Sequence, residues 1–341
     1  MIRMLLSELP RQRVRDRKLL FFFQINYFDT LLSAYSYFYK MEFSIHLMTY
    51  NCEKFVSQCL QSIVEQKTNF PFEIVIGDDA STDKTVEIIK SYMDHHDNIN
   101  VKIHEKNIGI LRNFIDTFNR CNGKYIFDIA GDDWLSNVYA LQLLYDKLED
   151  NPSFGFVDSG YSCYFQKTKK IIPFKNAKNL DATKAEYIQR HKVNGTLLMG
   201  LCYRKNAVEK HVNFEDYVKK GFDFEDYPII TDLVFNSDFG FVNSQLSVYR
   251  QHRESHSKHN KSGLKVMLYF AKKYNYSKDE IEKIYLVHEK QMLHNASLTS
   301  DKKSGRKHYK PFRQPVLRNF VYFLSSQNHL ARKFFNLFRK I

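Results

Sequence analysis

The chain has 341 residues, 51 Lys and Arg against 38 Asp and Glu, a formal charge of +13, and 43% hydrophobic residues. That is enough length for one large domain or two, and the composition is that of a globular protein. Its five cysteines (Cys52, Cys59, Cys121, Cys163, Cys202) are odd in number and contain no CxxC pair, which sets aside a disulfide framework and a cysteine zinc site in favour of buried thiols. The excess charge belongs to the ends: residues 302–341 hold 11 Lys or Arg and no acid, residues 1–40 hold 7 basic and 3 acidic residues, and 41–301 hold 33 basic and 35 acidic. Basic ends on a near-neutral body point to an anionic surface, membrane or nucleic acid, rather than to the chemistry of the core.

In chain order, Arg11, Arg13, Arg15, Arg17 and Lys18 precede an aromatic run from Leu19 to Tyr39. The run has no small-residue cleavage site, and Asp29 near its middle makes a bilayer span costly. Two readings stand: a membrane-surface segment, or a natural start at Met41. Phe43–Thr49 reads as the first strand and Glu53–Gln66 as a helix whose Val56, Cys59, Leu60, Ile63 and Val64 share one face. Phe72–Ile76 is a second strand, running into Gly77-Asp78-Asp79-Ala80-Ser81-Thr82-Asp83 and a helix to about Met93. Val101–His104 is a third strand. After Asn107 and Gly109 comes a helix with Ile110, Leu111, Phe114, Ile115 and Phe118 on its core side. Tyr125–Ala130 is a fourth strand with Asp128 inside it, ending in Gly131-Asp132-Asp133-Trp134. Ser136 is expected to cap a helix carrying Leu141, Leu144 and Leu148. Repeated strand–helix alternation predicts a parallel sheet with right-handed crossovers.

From residue 154 the pattern changes. Phe154–Phe165 and Thr196–Tyr203 look like strands joined by a long polar connection. Glu225-Asp226-Tyr227-Pro228 opens another element, and Phe241–Tyr249 is a strand followed by Arg250-Gln251-His252. Helical patterns cover Leu264–Tyr274 and Lys278–Leu293. Asp301–Lys310 reads as a basic linker. Val316–Leu324 and Leu330–Ile341 are aromatic helices carrying Arg and Lys.

Two strand ends thus carry paired carboxylates, Asp78/Asp79 and Asp132/Asp133. Clustered like charges repel unless a cation or hydrogen-bond donors are present. Oxygen ligation with few protein carboxylates suits Mg²⁺ or Mn²⁺ shared with a diphosphate. No Walker lysine loop follows the strands, and no GxGxxG follows the first, which disfavours P-loop and dinucleotide readings.

With these motifs the sequence resembles the family 2 glycosyltransferases, inverting nucleotide-sugar enzymes with a GT-A fold. The matching pieces are Thr49-Tyr50-Asn51, Gly77-Asp78-Asp79-Ala80-Ser81-Thr82-Asp83, Asn107-Ile108-Gly109, Gly131-Asp132-Asp133-Trp134, Glu225-Asp226-Tyr227-Pro228 and Tyr249-Arg250-Gln251-His252, in the family's order over 43 to about 257. The resemblance implies an α/β fold, a Rossmann-like and mostly parallel sheet flanked by helices, over 41–260. Residues 1–40 would be an N-terminal extension and 261–341 a helical, basic C-terminal region. It implies donor contacts from Thr49, Tyr50, Asn51, Asp79 and Asn107, with Tyr50 and Asp79 on the base. Asp78 braces its turn or reaches the ribose. Asp132 and His252 would hold Mn²⁺ or Mg²⁺, and Asp133 binds donor hydroxyls or orients Asp132. Arg250 would meet the departing diphosphate, and Asp226 would be the catalytic base, with Glu225 its rival. This sequence departs from the family's D-x-D, because the first acidic position is Ala130. His252 has a blander reading as one of a surface run with His256 and His259.

The implied reaction is inverting transfer of a sugar from a UDP- or dTDP-linked donor to a glycan or lipid-linked acceptor hydroxyl. It would take place in the cytoplasm, at the inner face of the cell membrane. The C-terminal helices would meet an anionic membrane surface or a second copy of the chain, and no specific nucleic acid is expected. Two other classes remain open: a nucleotidyltransferase making a sugar nucleotide, and a non-catalytic module derived from a transferase.

Overall fold

The computed structural model describes residues 41–173, 183–196, 198–252, 263–299, 301–309 and 317–328. The expected segment 1–40, the helix over Leu330–Ile341, and His256 and His259 lie outside the described residues. Among the described residues, nine strands form one sheet, in the order β3 (Ile99–Ile103), β2 (Phe72–Asp78), β1 (Phe43–Thr49), β4 (Tyr125–Ala130), β8 (Leu201–Arg204), β6 (Phe154–Phe165), β9 (Asp238–Gln251) and β5 (Trp134–Leu135), with β7 (Lys170–Pro173) paired to β6.

The first half is the expected repeat. Strand β1 (Phe43–Thr49), helix α1 (Val56–Val64), β2 (Phe72–Asp78), α2 (Thr85–Met93), β3 (Ile99–Ile103), α3 (Ile110–Arg120) and β4 (Tyr125–Ala130) follow one another. All neighbouring strands in this half run parallel. Strands β1, β2 and β4 are almost wholly buried, as parallel strands covered on both faces must be. Alternate side chains enter two cores. Phe43, Ile45, Leu47, Ile74 and Ile76 pack against Val56, Leu60 and Ile63 of α1. Val75 and Ile126 face Leu111, Phe114 and Phe118 of α3.

The second half is mixed. It holds β5 (Trp134–Leu135), α4 (Ala140–Glu149), β6 (Phe154–Phe165), β7 (Lys170–Pro173), α5 (Lys184–Asn194), β8 (Leu201–Arg204), α6 (Lys205–His211), α7 (Phe214–Lys219), α8 (Asp226–Asn236) and β9 (Asp238–Gln251). β8 lies antiparallel between β4 and β6, and β9 runs parallel to β6. The C-terminal helices are α9 (Gly263–Lys273), α10 (Lys278–Thr299), α11 (Lys302–His308) and α12 (Leu317–Gln327). α9 is tied to α8 through Asp232, fully buried, which accepts from Lys273 Nζ and Tyr274 Oη at 2.6 Å each.

Three expectations change. Ser136 does not cap α4; its hydroxyl donates to Gln245 O, and the helix starts four residues later. The strand expected from Thr196 begins only at Leu201, because the preceding loop turns toward Asp226. The basic linker contains α11, since Lys and Arg are good helix formers. Among the described residues, no helix is long and apolar enough to cross a membrane.

Candidate active site

Parallel sheets bind ligands beyond the carboxyl ends of their strands. Both Gly-Asp-Asp turns lie there, on β2 and β4, the two strands that flank β1. In the β2 turn Asp78 is fully buried and accepts from Thr49 Oγ1 (2.8 Å), Ser81 N (2.8 Å) and Ser81 Oγ (2.6 Å). It braces the turn. Asp79, also buried, takes Ile108 N on one oxygen (2.6 Å) and Gly109 N on the other (3.1 Å). It therefore pins the Asn107-Ile108-Gly109 turn, where Gly109 sits at φ +87°, a region that favours glycine. Asn51, itself left-handed at φ 47°, accepts from Thr82 N at 2.8 Å and donates its own N–H to Ser81 Oγ at 2.9 Å. Tyr50 and Asn107 are exposed.

The β4 turn is built differently. Gly131 is required: a Cβ there would stand 2.7 Å from Cys52 Sγ and 2.9 Å from Thr49 Cγ2. Asp133 is buried and accepts from Arg250 N at 2.7 Å. Burial pushes its carboxyl well above the usual range, the Asp132 charge adds to this, and Asp226 contributes as well. Asp132 stays partly open, with Oδ2 2.8 Å from His252 Nε2.

Arg250, expected at the departing diphosphate, makes three side-chain hydrogen bonds within the protein. Only 4% exposed, it donates from Nε to Asp132 O (2.7 Å), from Nη1 to Gln166 Oε1 (2.8 Å) and from Nη2 to Gln58 Oε1 (2.6 Å). Its guanidinium also lies 4.5–5.3 Å from the ring centres of Trp134, Phe55 and Tyr164. A cation so engaged is a keystone binding β9, α1, β6 and the β4 turn together, with three of its five donors taken by the protein. Trp134 belongs to the Gly131-Asp132-Asp133-Trp134 motif, but Gln58, Gln166, Phe55 and Tyr164 had no sequence signal, since they come from distant segments.

Asp226 is the first residue of α8 and accepts from Leu198 N at 2.9 Å. Burial raises its carboxyl to about 6, the charge of Asp128 adding and the Leu198 N–H opposing. Its reach to Asp133 puts Asp132, Asp133 and Asp226 in one electrostatic neighbourhood. Asp128 lies behind them, 2.8 Å from His46 Nδ1 and accepting from Tyr203 Oη at 2.8 Å.

Among the described residues, no three His, Cys, Asp or Glu converge on one point as a metal cage would. Asp132 and His252 offer one carboxylate oxygen and one imidazole nitrogen. That pair fits a divalent ion whose remaining ligands come from a diphosphate and water, and not a cage closed by the protein alone.

Residues 44–209 match the family model for Glycosyl transferase family 2. A Mycobacterium tuberculosis protein of unassigned function is 34% identical over 110 residues, 32% of each chain. The putative glycosyltransferase EpsH of Bacillus subtilis is 29% identical over 174 residues, 49% of this chain and 48% of that one. The Staphylococcus aureus poly(ribitol-phosphate) beta-N-acetylglucosaminyltransferase TarS is 31% identical over 104 residues, 28% of this chain and 17% of that one. The chain thus spans about a third of the length of the mycobacterial relatives it matches. Of solved structures, S. aureus TarS 1-349 with UDP-GlcNAc superposes with a TM-score of 0.56 at 18% identity, over 85% of this chain and 83% of that one. The Pyrobaculum calidifontis mannosyltransferase PcManGT with GDP-Man and Mn²⁺ gives 0.52 at 14% identity, over 84% and 86%. These likenesses establish the α/β GT-A fold.

Proposed function

Because residues 44–209 match the family model for Glycosyl transferase family 2, we propose that this chain transfers a sugar from a UDP- or dTDP-linked donor to an acceptor hydroxyl, inverting the anomeric carbon, in cell-surface polysaccharide synthesis. The observation that carries the reading is that Asp133, beside Asp132 at the end of β4, feels the charge of Asp226 at the start of α8. One side then holds the donor and the other takes the acceptor's proton. The exposed Tyr50 and Asn107 and the pinned turns of Asp78 and Asp79 form the wall for the nucleoside.

Asp226 is the base. A carboxyl raised to about 6 is ionised at neutral pH yet holds a proton more tightly than an exposed aspartate. As the acceptor oxygen attacks the anomeric carbon, Asp226 accepts its proton while the nucleoside diphosphate leaves from the opposite face. Asp132 and His252 would hold Mn²⁺ or Mg²⁺, which when bound offsets the charge of the departing diphosphate. Asp133, fixed by Arg250 N, orients the turn that presents Asp132. UDP-GlcNAc in the TarS structure and Mn²⁺ in the PcManGT structure support the donor and the ion.

The chain works at the inner face of the cell membrane. Supporting this, α11 exposes Lys302, Lys303, Arg306 and Lys307 without an acidic residue among them. Co-sedimentation with anionic vesicles that neutral salt abolishes is the expected result; co-sedimentation with neutral vesicles alone would count against it.

A second reading has one observation in its favour: Ala130 in place of the first D-x-D acid suggests a binding module without turnover. The test is a thermal-shift screen of nucleotide sugars with and without Mn²⁺, followed by transfer and hydrolysis assays on the hits. Asp226→Asn is expected to keep donor affinity and lose about 10²–10⁴ in kcat. Binding by the wild type without any turnover would leave the module reading, and wild-type turnover by Asp226→Asn would remove Asp226 as the base.

A further inference from the structure

Glu225 sits beside Asp226 and has no role in the steps above. It occupies the N-cap position of α8, where a carboxylate normally turns outward to receive the free N–H groups of the first turn. It does not do so: its side chain makes no capping bond, and only its carbonyl takes part, accepting from Ile229 N at 3.0 Å. The side chain instead points inward, with the residue 7% exposed and Oε2 buried without a hydrogen-bond partner. Among the described residues it makes no ion pair. The charged groups that reach it are Asp226 on its own helix and Asp128 on β4, the latter beside His46 of β1 and Tyr203 of β8. An ionised carboxylate there would be desolvated, compensated only by its own backbone N–H, and faced by two charges of its own sign.

Resting on the reading of Asp226 as base, we propose that Glu225 is a positioning residue held as the neutral carboxylic acid, so that Asp226 alone carries charge and receives the acceptor's proton. Burial first and the Asp226 charge second push the Glu225 carboxyl well above its ordinary value. Asp226, by contrast, accepts from Leu198 N at 2.9 Å, a bond that favours its ionised form, while Glu225 Oε2 has no donor. The two therefore ionise in a fixed order, Asp226 first. Were Glu225 to ionise first, its charge would keep Asp226 protonated at neutral pH and the base would be lost.

Infrared spectroscopy of the full chain carrying ¹³C-carboxyl glutamate tests this without requiring turnover. The isotope separates glutamate from Asp133 and Asp158, whose carboxyls are also raised. At about pH 7, where ordinary glutamates are ionised, one isotope-shifted protonated-carboxyl band is expected in the wild type and none in Glu225→Gln. Absence of that band from the wild type overturns the proposal, whether or not the protein transfers sugar. If no donor turns over, the function reading fails while the band still decides the state of Glu225. Where turnover is present, Glu225→Ala is expected to lower kcat/KM by about tenfold or more as Asp226 loses its packing, and Glu225→Gln to restore most of it. The acid limb of the pH profile stays near about 6 in Glu225→Gln. A limb that falls by about one pH unit or more in that variant would mean that Glu225 was charged, and would overturn the proposal.

Discussion

The two Gly-Asp-Asp turns have the same three residues and opposite assignments. In Gly77-Asp78-Asp79 the first acid is sealed inside the protein and the second clamps a neighbouring loop. In Gly131-Asp132-Asp133 the first acid is partly open against His252 and the second is sealed. Register explains the reversal. Asp78 is still in the ladder, opposite Thr49, so its carboxylate lies across β1 and meets the Thr49 hydroxyl. On the other side of β1 the ladder ends at Ala130, opposite Met48, so Asp132 lies beyond the last paired residue and projects past the sheet. Chemistry at a strand end is thus decided by one or two residues of register, which a motif does not record.

The largest test of that contrast exchanges the outcome of two matched substitutions. On the proposed function Asp132→Asn removes a metal ligand and should cost about 10²-fold or more in turnover and weaken Mn²⁺ binding. Its melting temperature should barely move. Asp78→Asn leaves Thr49 and Ser81 facing a weaker acceptor in a fully buried site and should cost about 2–3 kcal/mol of stability. Urea unfolding and steady-state kinetics on both variants check this; a Asp78→Asn protein as stable as wild type would break the comparison.

Next in size is the keystone of the second turn. Arg250→Met keeps some of the packing against Phe55, Trp134 and Tyr164 but strands Gln58, Gln166 and Asp132 O without their donor. A loss of about 2 kcal/mol is expected, with weaker Mn²⁺ binding because Asp132 is no longer held from behind. Loss of donor affinity at unchanged stability would return Arg250 to the diphosphate.

A smaller effect tests the third acid. The carboxyl of Asp226 rises from 3.8 to about 6 on folding, so its protonated form is favoured in the folded state. That contribution is complete below about pH 4 and is lost as pH rises through about 6. Wild-type stability should fall over that window relative to Asp226→Asn, leaving the variant more stable by roughly 1–3 kcal/mol at pH 7. Parallel stability curves for the two proteins would place Asp226 in ordinary solvent.

Much of this was legible before any coordinates. β1 and β4 fall where alternating and apolar runs put them, because buried parallel strands are written in consecutive apolar residues. The acids at 78, 79, 132 and 226 stood out because turns and helix starts tolerate few residue types. The Arg250 cage was not legible: Gln58 lies 192 residues away in sequence and Gln166 84 away, and neither belongs to a local pattern. Ser136 misled for the opposite reason. It looks like a cap, but the short strand β5 draws its hydroxyl to Gln245 and delays the helix. Glu225 read as a rival base because sequence gives a carboxylate's position and not its solvent.

The smallest expected effect concerns the residue that departs from the family. Ala130 ends β4 with its carbonyl accepting from Asp133 N at 3.0 Å, so its backbone holds the turn whatever its side chain. Ala130→Asp should therefore fold. It adds a carboxylate two residues before Asp132 and should tighten Mn²⁺ by a few-fold, since affinity for such ions follows the count of charged ligands. The same carboxylate lies two residues beyond Asp128 along the strand, on the face Asp128 shares, and Asp128 already raises Asp226. The acid limb should then move up as the metal binds tighter, so any gain in affinity comes with a weaker fraction of ionised base at pH 6. Isothermal titration with Mn²⁺ and a pH profile on the same preparation read both shifts. Tighter metal with an unmoved limb would mean that position 130 faces the donor alone, and that the alanine here leaves the base untouched.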